Sequence, residues 1–582
     1  MSVIKDLEKD LVGIYKSCGY ELDEVTLVPS SRPDLGQYQL NDAMKLAKLY
    51  HKSPIVIAND IVDKLNNDVR FVNVNIAGAG FINISLSEEF LIDYINEIKS
   101  DVEKNIDKKE HKKVVIDYGG ANVAKALHVG HLRSANIGEA IKRLAKLLGY
   151  DIIGDAHLGD SGFNAGATIL EMKLRYPDLI CFQDGYNGED FELPITKEHL
   201  NEIYPAGSKK TKESEELLEE ARTIALEIQN NNPKYSILWN KIKTMSIENI
   251  KNTYKRINCT FELLEGEIES FEFIPEMLES LEKDGLLEES NGAKIMYVNE
   301  DSDSKEIPPI LLVKSNGAYL YGTTDLGTIV GRMKRFNPDE IWYLADLRQS
   351  LHFEQFFRAA KKGKFIKDDT VLSFSGFGTV NGSDGRPFKT RNGGIMTLDE
   401  LIDIVKEEAK KRINTNVVDP DKFEETSEML AVSTLKYADL LPHRATDYIF
   451  DPEKFSDLEG KTAPYLLYST LRIKSLLNKA NGYEINKDEY SIICNDTDKN
   501  IILTLLDLPI ILTRAIENKA LNEVSEYIYK LTSVYNKFYA ENKILSEENI
   551  NLRSSWITLS ALVYKTNLML LDVLGLQCPE KM

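Results

Sequence analysis

The sequence predicts a multidomain α/β protein: a doubly wound parallel sheet, a small α/β module before it and an all-α domain after it. Three observations carry that expectation. VVIDY (114–118) is followed by a glycine-bearing loop, a helical stripe and a second strand, the unit that opens a nucleotide-binding parallel sheet. Ahead of it, FVNVNIAG (71–78) and FINISL (81–86) alternate apolar and polar residues as half-buried strands do. Beyond about residue 415, the segments 426–441, 462–480, 498–517, 520–541 and 552–573 all carry helical periodicity.

Taken in order, residues 1–108 form the first module. Its helical stretches at 40–50, 54–66 and 87–99 place apolar residues three and four apart. The charged run KNIDKKEHKK (104–113) reads as a linker. In LRSANIGEAIKRLAKLLGY (132–150), Ile137, Ile141, Leu144 and Leu148 share one helix face, and DIIGDAHLGDSG (151–162) supplies the next strand and loop. Charged helices then fill an insertion at about 165–300. Sheet-like runs resume at PPILLVKSNGAYLYGTTDLG (308–327), EIWYLAD (340–346) and TVLSFSGFGTV (370–380). The resulting plan is 1–108, a Rossmann-type domain at 109–415 and a helical domain at 416–582.

Composition narrows the function classes. No apolar run approaches the roughly 18–20 residues of a membrane span, and the amino terminus lacks a signal-peptide core. Cys18, Cys181, Cys259, Cys494 and Cys578 lie far apart, which argues against a zinc knuckle or disulfide framework and for the reducing cytoplasm. The net charge of −21 argues on its face against a polyanionic partner. Local contrast offsets it: 111–150 carries seven Lys/Arg against two acidic residues, whereas 261–290 holds eleven acidic residues and Lys283. Charge near a phosphate matters more than the total.

VAKALHVGHLRSA (123–135) holds two of the chain's 8 histidines, three residues apart. Zinc would need further ligands, with His157 and Asp160 imaginable, but no cysteine is near and the pattern is not H-E-x-x-H. No metal ligand is expected here. Structural capping is a second reading. The third is an anion site, because the first turn of a helix offers free N–H groups to phosphate. His128 and His131 would donate there, Lys125 would add charge, and Gly130 would let an adenine ring approach the backbone. Prepositioned donors stabilise charge building on an attacked phosphate.

HVGH after a strand resembles the HIGH signature of class I aminoacyl-tRNA synthetases and related nucleotidyltransferases. DYGGANVAKALHVGHLRSANIG (117–138), LYGTTDLGTIVGR (320–332), DLRQSLHF (346–353) and TLKYADLLPHRATDYIFD...TAPYLLYSTLRI (434–473) resemble bacterial-type arginyl-tRNA synthetases in sequence, order and spacing. SSRPDLGQYQLNDAMKLAK and IAGAGFINISL resemble that family's additional amino-terminal tRNA-binding domain. The resemblance covers nearly the whole chain and is weakest across 185–300.

The resemblance implies an enzyme that activates arginine with ATP and Mg2+ to arginyl-adenylate, then charges the terminal ribose of tRNA for arginine. It also implies that tRNA must bind before adenylate forms. A monomer without bound zinc or membrane contact is expected. By resemblance Asp117 and Asn122 hold the α-amino and carboxylate end of arginine. Asp325, Tyr321 and Gln349 hold its side chain, in keeping with the planar acceptors a guanidinium fork needs. Taken alone, Asp325 could cap a helix, Tyr321 could pack in a strand, Asp117 could end its strand and Asn122 could serve a turn. The family's KMSK signature is absent. GRPFKTRNGG (385–394) stands in its place with Lys389 and Arg391, and Lys125 replaces the missing lysine; a plain basic loop is the alternative. Gly119 and Ala121 occupy positions where relatives often carry serine and proline.

Tyr448, Phe450, Tyr465, Tyr468 and Arg472 offer stacking and phosphate contacts for unpaired anticodon bases, or else core packing. Two rival functions stay open, a stand-alone nucleotidyltransferase and a non-catalytic tRNA-binding paralogue. The length and helical tail disfavour the first, and the retained histidines disfavour the second.

Overall fold

The computed structural model describes residues 2–582 except 31, 33, 110, 389–395 and 485–489. They divide into two compact units, one of Lys109–Asp457 with Val573–Gln577, the other of Met1–Lys108 with Leu458–Asp572 and Cys578–Met582.

The first unit is built on a four-stranded parallel sheet. Its strands are β1 (Lys113–Asp117), β2 (Asp151–Asp155), β3 (Glu340–Asp346) and β4 (Val371–Phe377), ordered β4-β3-β1-β2. Val114, Val115 and Ile116 are all buried, as expected of a parallel strand covered on both faces. Helix α1 (Gly130–Leu147) connects β1 to β2, and the anticipated stripe of Ile137, Ile141, Leu144 and Leu148 is buried throughout. Gly138 lies where an added Cβ would come within 2.3 Å of the Tyr118 ring, so the helix approaches the chain after β1 only because that position is glycine. Helices α2 (Tyr321–Phe336) and α3 (Ser350–Lys362) flank β3. Leu326, Ile329, Ile341, Phe356 and Ala359 join Val115 in one apolar core, where each large aliphatic side chain contributes roughly 1.5–3 kcal/mol.

The chain leaves β1 toward β2 on one side and later returns to β3 on the other. That reversal opens a crevice outside the carboxyl ends of β1 and β3, where ligands bind in open α/β sheets.

Three sequence expectations need correction. The run 308–327 is not one strand region: Ile310–Val313 pairs in a separate antiparallel sheet with 293–296 and 288–290, and α2 already begins at Tyr321. The insertion does hold charged helices, Lys197–Glu213, Glu215–Gln229 and Pro233–Arg256. Its last third is nevertheless integral to the sheet domain. Ala156 and Leu158 donate to the Leu263 and Glu265 carbonyls (3.1 and 2.7 Å), and Ile274, Met277 and Leu281 enter the core. The acidic residues hide this, because only one face of helix Ile274–Lys283 is apolar. Finally, the compact unit extends past residue 415 to Asp457. Helix Phe423–Leu440 is held to α1 by Arg133 Nε donating to Asp439 Oδ1 (2.9 Å) and Asn136 Nδ2 donating to the Lys436 carbonyl (3.0 Å).

In the second unit a four-stranded antiparallel sheet runs in the spatial order 28–29, 38–40, 81–86, 71–77. The carboxy-terminal helices, including Ala463–Ala480 and Leu521–Glu541, belong to the same unit. Buried Asn105 Nδ2 bridges the Tyr94 hydroxyl (2.8 Å) and the Leu505 carbonyl (3.0 Å), and Tyr38 Oη donates to Asp507 Oδ1 (3.0 Å). Among the described residues no helix is long and apolar enough to cross a membrane. Of the aromatic candidates, Phe450 is fully buried core, and Tyr448 stacks its ring 5.1 Å from the Arg133 guanidinium, both in the first unit. Tyr465 accepts from Asn536 (2.8 Å) and Arg472 packs over Tyr539, whereas Tyr468 is exposed.

Candidate active site

The crevice is a cleft of about 1060 Å³ at the β1/β3 reversal. Asp117, Asn122, His128, Gly130, His131, Tyr321, Asp325 and Gln349 all line it, although they come from three separate stretches of chain. Asp117 ends β1, Asn122 bridges to Gly159 in the loop after β2, His128 lies just ahead of α1 and His131 in its first turn. Ala124 adopts a left-handed φ of 66°, costly for alanine, and its N–H is held by Ser246 Oγ (2.9 Å). That bend returns the loop to present His128.

The two imidazoles have defined tautomers. The His128 N–H donates to His131 Nδ1 (3.0 Å), and the Gly130 N–H donates to His128 Nδ1 (3.1 Å). Each Nδ1 is therefore an acceptor, and each neutral ring carries its proton on Nε2. Burial, with Lys125 nearby, pulls His128 down to about 4. Burial, then His128 and Lys125, pulls His131 down to about 3. Both are uncharged donors at neutral pH. An added Cβ on Gly130 would lie 2.8 Å from His128 Cε1. A side chain at this position would therefore collide with the His128 ring, while Gly130 itself lines the cleft.

Lys125 is not among the residues lining the cleft; its ammonium lies 5.9 Å from the Tyr204 ring centroid, and burial lowers its pKa. Lys389 and Arg391 lie outside the described residues. The flanks of their segment do reach the site. Pro387 and Phe388 line the cleft, while Val129 N–H donates to the Met396 carbonyl (3.2 Å) and Leu398 N–H to the Leu127 carbonyl (2.9 Å).

The cleft is also lined by acidic residues. Asp325 lies in the second turn of α2, so it does not cap the helix, and Tyr321 opens that helix with 65% of its surface exposed, so it is no strand residue. Gln349 ends a short 3-10 turn before α3. Asp325 Oδ2 stands 2.5 Å from His352 Nε2, and Glu267 lines the same space. Burial raises the Glu267 carboxyl to about 7; the Ser161 hydroxyl opposes the shift and Asp325 reinforces it. Sequence reading missed both residues. His352 stood three positions after Gln349, a spacing that shares one helix face, but Glu267 was one acid among eleven.

Beneath the cleft, buried Arg332 donates to Asp117 Oδ2 (2.7 Å) and Asp155 Oδ2 (2.6 Å), tying the ends of β1 and β2 together. Burial would raise Asp155, but Arg332 and His157 outweigh it and hold its carboxyl well below the usual range. Burial likewise disfavours a charged His157, yet Asp155 and Asp117 lift its pKa to about 9. Asp117, Asp155 and His157 converge closely enough to suggest a metal site. They do not suit a dication, because the Arg332 guanidinium already bridges the two carboxylates.

Three family models match the chain. The class I (R) tRNA synthetase catalytic domain covers residues 94–452, the DALR anticodon binding domain 466–582, and the arginyl-tRNA synthetase N-terminal domain 2–86. Curated relatives include the arginine–tRNA ligase of Alkaliphilus oremlandii, 40% identical over 585 residues, and that of Agathobacter rectalis, 41% identical over 595; each pairing covers 100% of both chains. Among solved structures, the arginyl-tRNA synthetases of Plasmodium falciparum (24% identity, TM-score 0.82) and Thermus thermophilus (19%, 0.81) share the fold over 100% of both chains. The sheet, the cleft at its reversal and these full-length matches together place the chain in the arginyl-tRNA synthetase family of class I aminoacyl-tRNA synthetases.

Proposed function

We propose that the chain activates L-arginine with ATP and transfers it to the 3′-terminal ribose of tRNA for arginine. One observation carries this reading: a pair of uncharged Nε2–H donors and a cluster of carboxylates share a single cleft. The first suits a phosphate, the second a guanidinium. An arginine carboxylate oxygen attacks the α-phosphorus, the bond to the β-phosphate oxygen breaks, and pyrophosphate leaves. His128 and His131 donate to the oxygens that gain charge. A ribose hydroxyl oxygen then attacks the acyl carbon, the acyl–phosphate bond breaks, and AMP leaves as the hydroxyl proton is released.

Asp117 keeps one oxygen on Arg332 and turns the other, with Asn122, to the α-amino and carboxylate end of arginine. Asp325, Tyr321 and Gln349 meet its side chain, with Glu267 beside them. Lys125, Lys389 and Arg391 neutralise the departing pyrophosphate. Mg2+ enters with the triphosphate, and no zinc takes part. Residues 1–108 and the helical tail bind the tRNA, and the protein works as a cytoplasmic monomer, in keeping with its five unpaired cysteines. The test is incubation with ATP, arginine and bulk tRNA, followed by detection of arginyl-tRNA. Pyrophosphate exchange without charging would support the nucleotidyltransferase alternative, and tRNA binding without either would support the paralogue.

A further inference from the structure

Asp325 is the carboxylate best placed to receive a guanidinium, yet one of its oxygens already has a partner. His352 Nε2 lies 2.5 Å from Asp325 Oδ2, from the third residue of α3 across to the second turn of α2. A carboxylate carries no proton, so the hydrogen in this contact belongs to the imidazole. The ring is itself confined. Its centroid is 5.2 Å from that of Phe356 and 5.9 Å from that of Phe353, and both phenylalanines are buried against Tyr343 of β3. The constraint therefore runs from the sheet through the aromatic cluster to His352 and on to Asp325. Both His352 and Asp325 line the cleft, with side chains about one-third and one-quarter exposed, so neither is merely core.

We propose that His352 is a positioning residue that pins Asp325 Oδ2 and leaves Oδ1 as the directed acceptor for the side chain of arginine. This rests on the assignment of Asp325 above. A short carboxylate side chain on a helix has several accessible rotamers, and a charge-assisted hydrogen bond selects one of them. Arginine then meets an oriented acceptor instead of ordering it on binding, which removes a cost from affinity.

Two substitutions separate the hydrogen bond from the packing. His352→Phe keeps an aromatic ring against Phe353 and Phe356 but has no donor. His352→Gln loses the ring but can place an amide N–H at about the reach of Nε2. In aminoacylation assays of the full chain with arginine, ATP and matching tRNA, His352→Phe is expected to raise the arginine KM about tenfold or more, the scale of one charge-assisted bond. The KM values for ATP and tRNA should stay within about twofold. His352→Gln should recover most of the arginine KM. The reverse order, with the phenylalanine variant near normal and the glutamine variant impaired, would make His352 a packing residue and overturn the proposal. Two normal variants would overturn it as well. Asp325→Asn, measured alongside, distinguishes the failures: if it leaves the arginine KM unchanged, the assignment of Asp325 itself falls. If it raises that KM while His352→Phe does not, only the positioning role falls. With both roles real, adding His352→Phe to Asp325→Asn should do little further harm, because the oriented charge is already gone. Thermal midpoints guard against misfolding, and should His352→Phe fail to fold, His352→Leu supplies the donor-free comparison.

Discussion

His128 and His131 should act as neutral hydrogen-bond donors, and this can be tested by removing them singly. Each Nδ1 accepts a backbone N–H, at 3.0 Å for His131 and 3.1 Å for His128, so each Nε2 carries the proton that can be offered to a ligand. Losing one prepositioned donor to an oxyanion costs about 2.7–4 kcal/mol, which corresponds to roughly 10²–10³ in rate. His128→Ala or His131→Ala should slow arginine-dependent ATP–pyrophosphate exchange by that factor. The exchange is run with matching tRNA whose terminal ribose is oxidised to block transfer. Gln variants, which offer an amide donor near the Nε2 position, should lose less. The pH profile makes the sharper demand. With pKa values near 4 and 3, neither ring titrates between about pH 5.5 and 8, so neither should contribute a limb there. For stability the sign is fixed by depressed folded values: their contribution is complete above about 6.5, the ordinary histidine value, and declines as pH falls toward 4 and 3. Unchanged exchange in both alanine variants would refute the reasoning. So would a fall in rate as pH rises through about 6.5 in the parent that vanishes in either variant, since the ring would then work as a cation.

Asp325→Asn keeps shape and removes charge, and should cost at least about 2 kcal/mol in kcat/KM for arginine with little change for ATP, read from steady-state kinetics. Arg332→Met strips the shared partner from Asp117 and Asp155; denaturant unfolding should show a loss of about 3–5 kcal/mol. Glu267 has a folded pKa of about 7, above its ordinary value, so its contribution is full below about 4.5 and is lost as pH rises through 7. Glu267→Gln should therefore flatten the fall in thermal midpoint between pH 5 and 9, and an unaltered fall would mean that the carboxyl is ionised throughout.

Much of this protein is determined by local sequence. VVIDY had to be a buried parallel strand because it is apolar on both faces, and the Ile137–Leu148 stripe could only be an amphipathic helix. Eight of the proposed site residues could be named because short motifs state them outright: DYGGAN, HVGH, YGTTD and DLRQ. What the chain could not declare is anything created by proximity between distant segments. Tyr321 sits in a run whose local pattern suits a strand, but packing of α2 against β3 decides for helix. Gly130 has to be glycine because the His128 ring lies where its Cβ would stand, a contact that only the folded loop creates. Glu267 is one acid in an acidic stretch, and only the passage of 263–265 beside β2 turns it into a buried carboxyl at the cleft. Arg332 and His352 acquire their meaning from Asp117, Asp155 and Asp325, which lie 215, 177 and 27 residues away. Periodicity and capping act over one or two turns of chain, so they are legible in order along the sequence. Electrostatic pairing and desolvation depend on distance through space, and that distance exists only once the sheet has closed around its reversal.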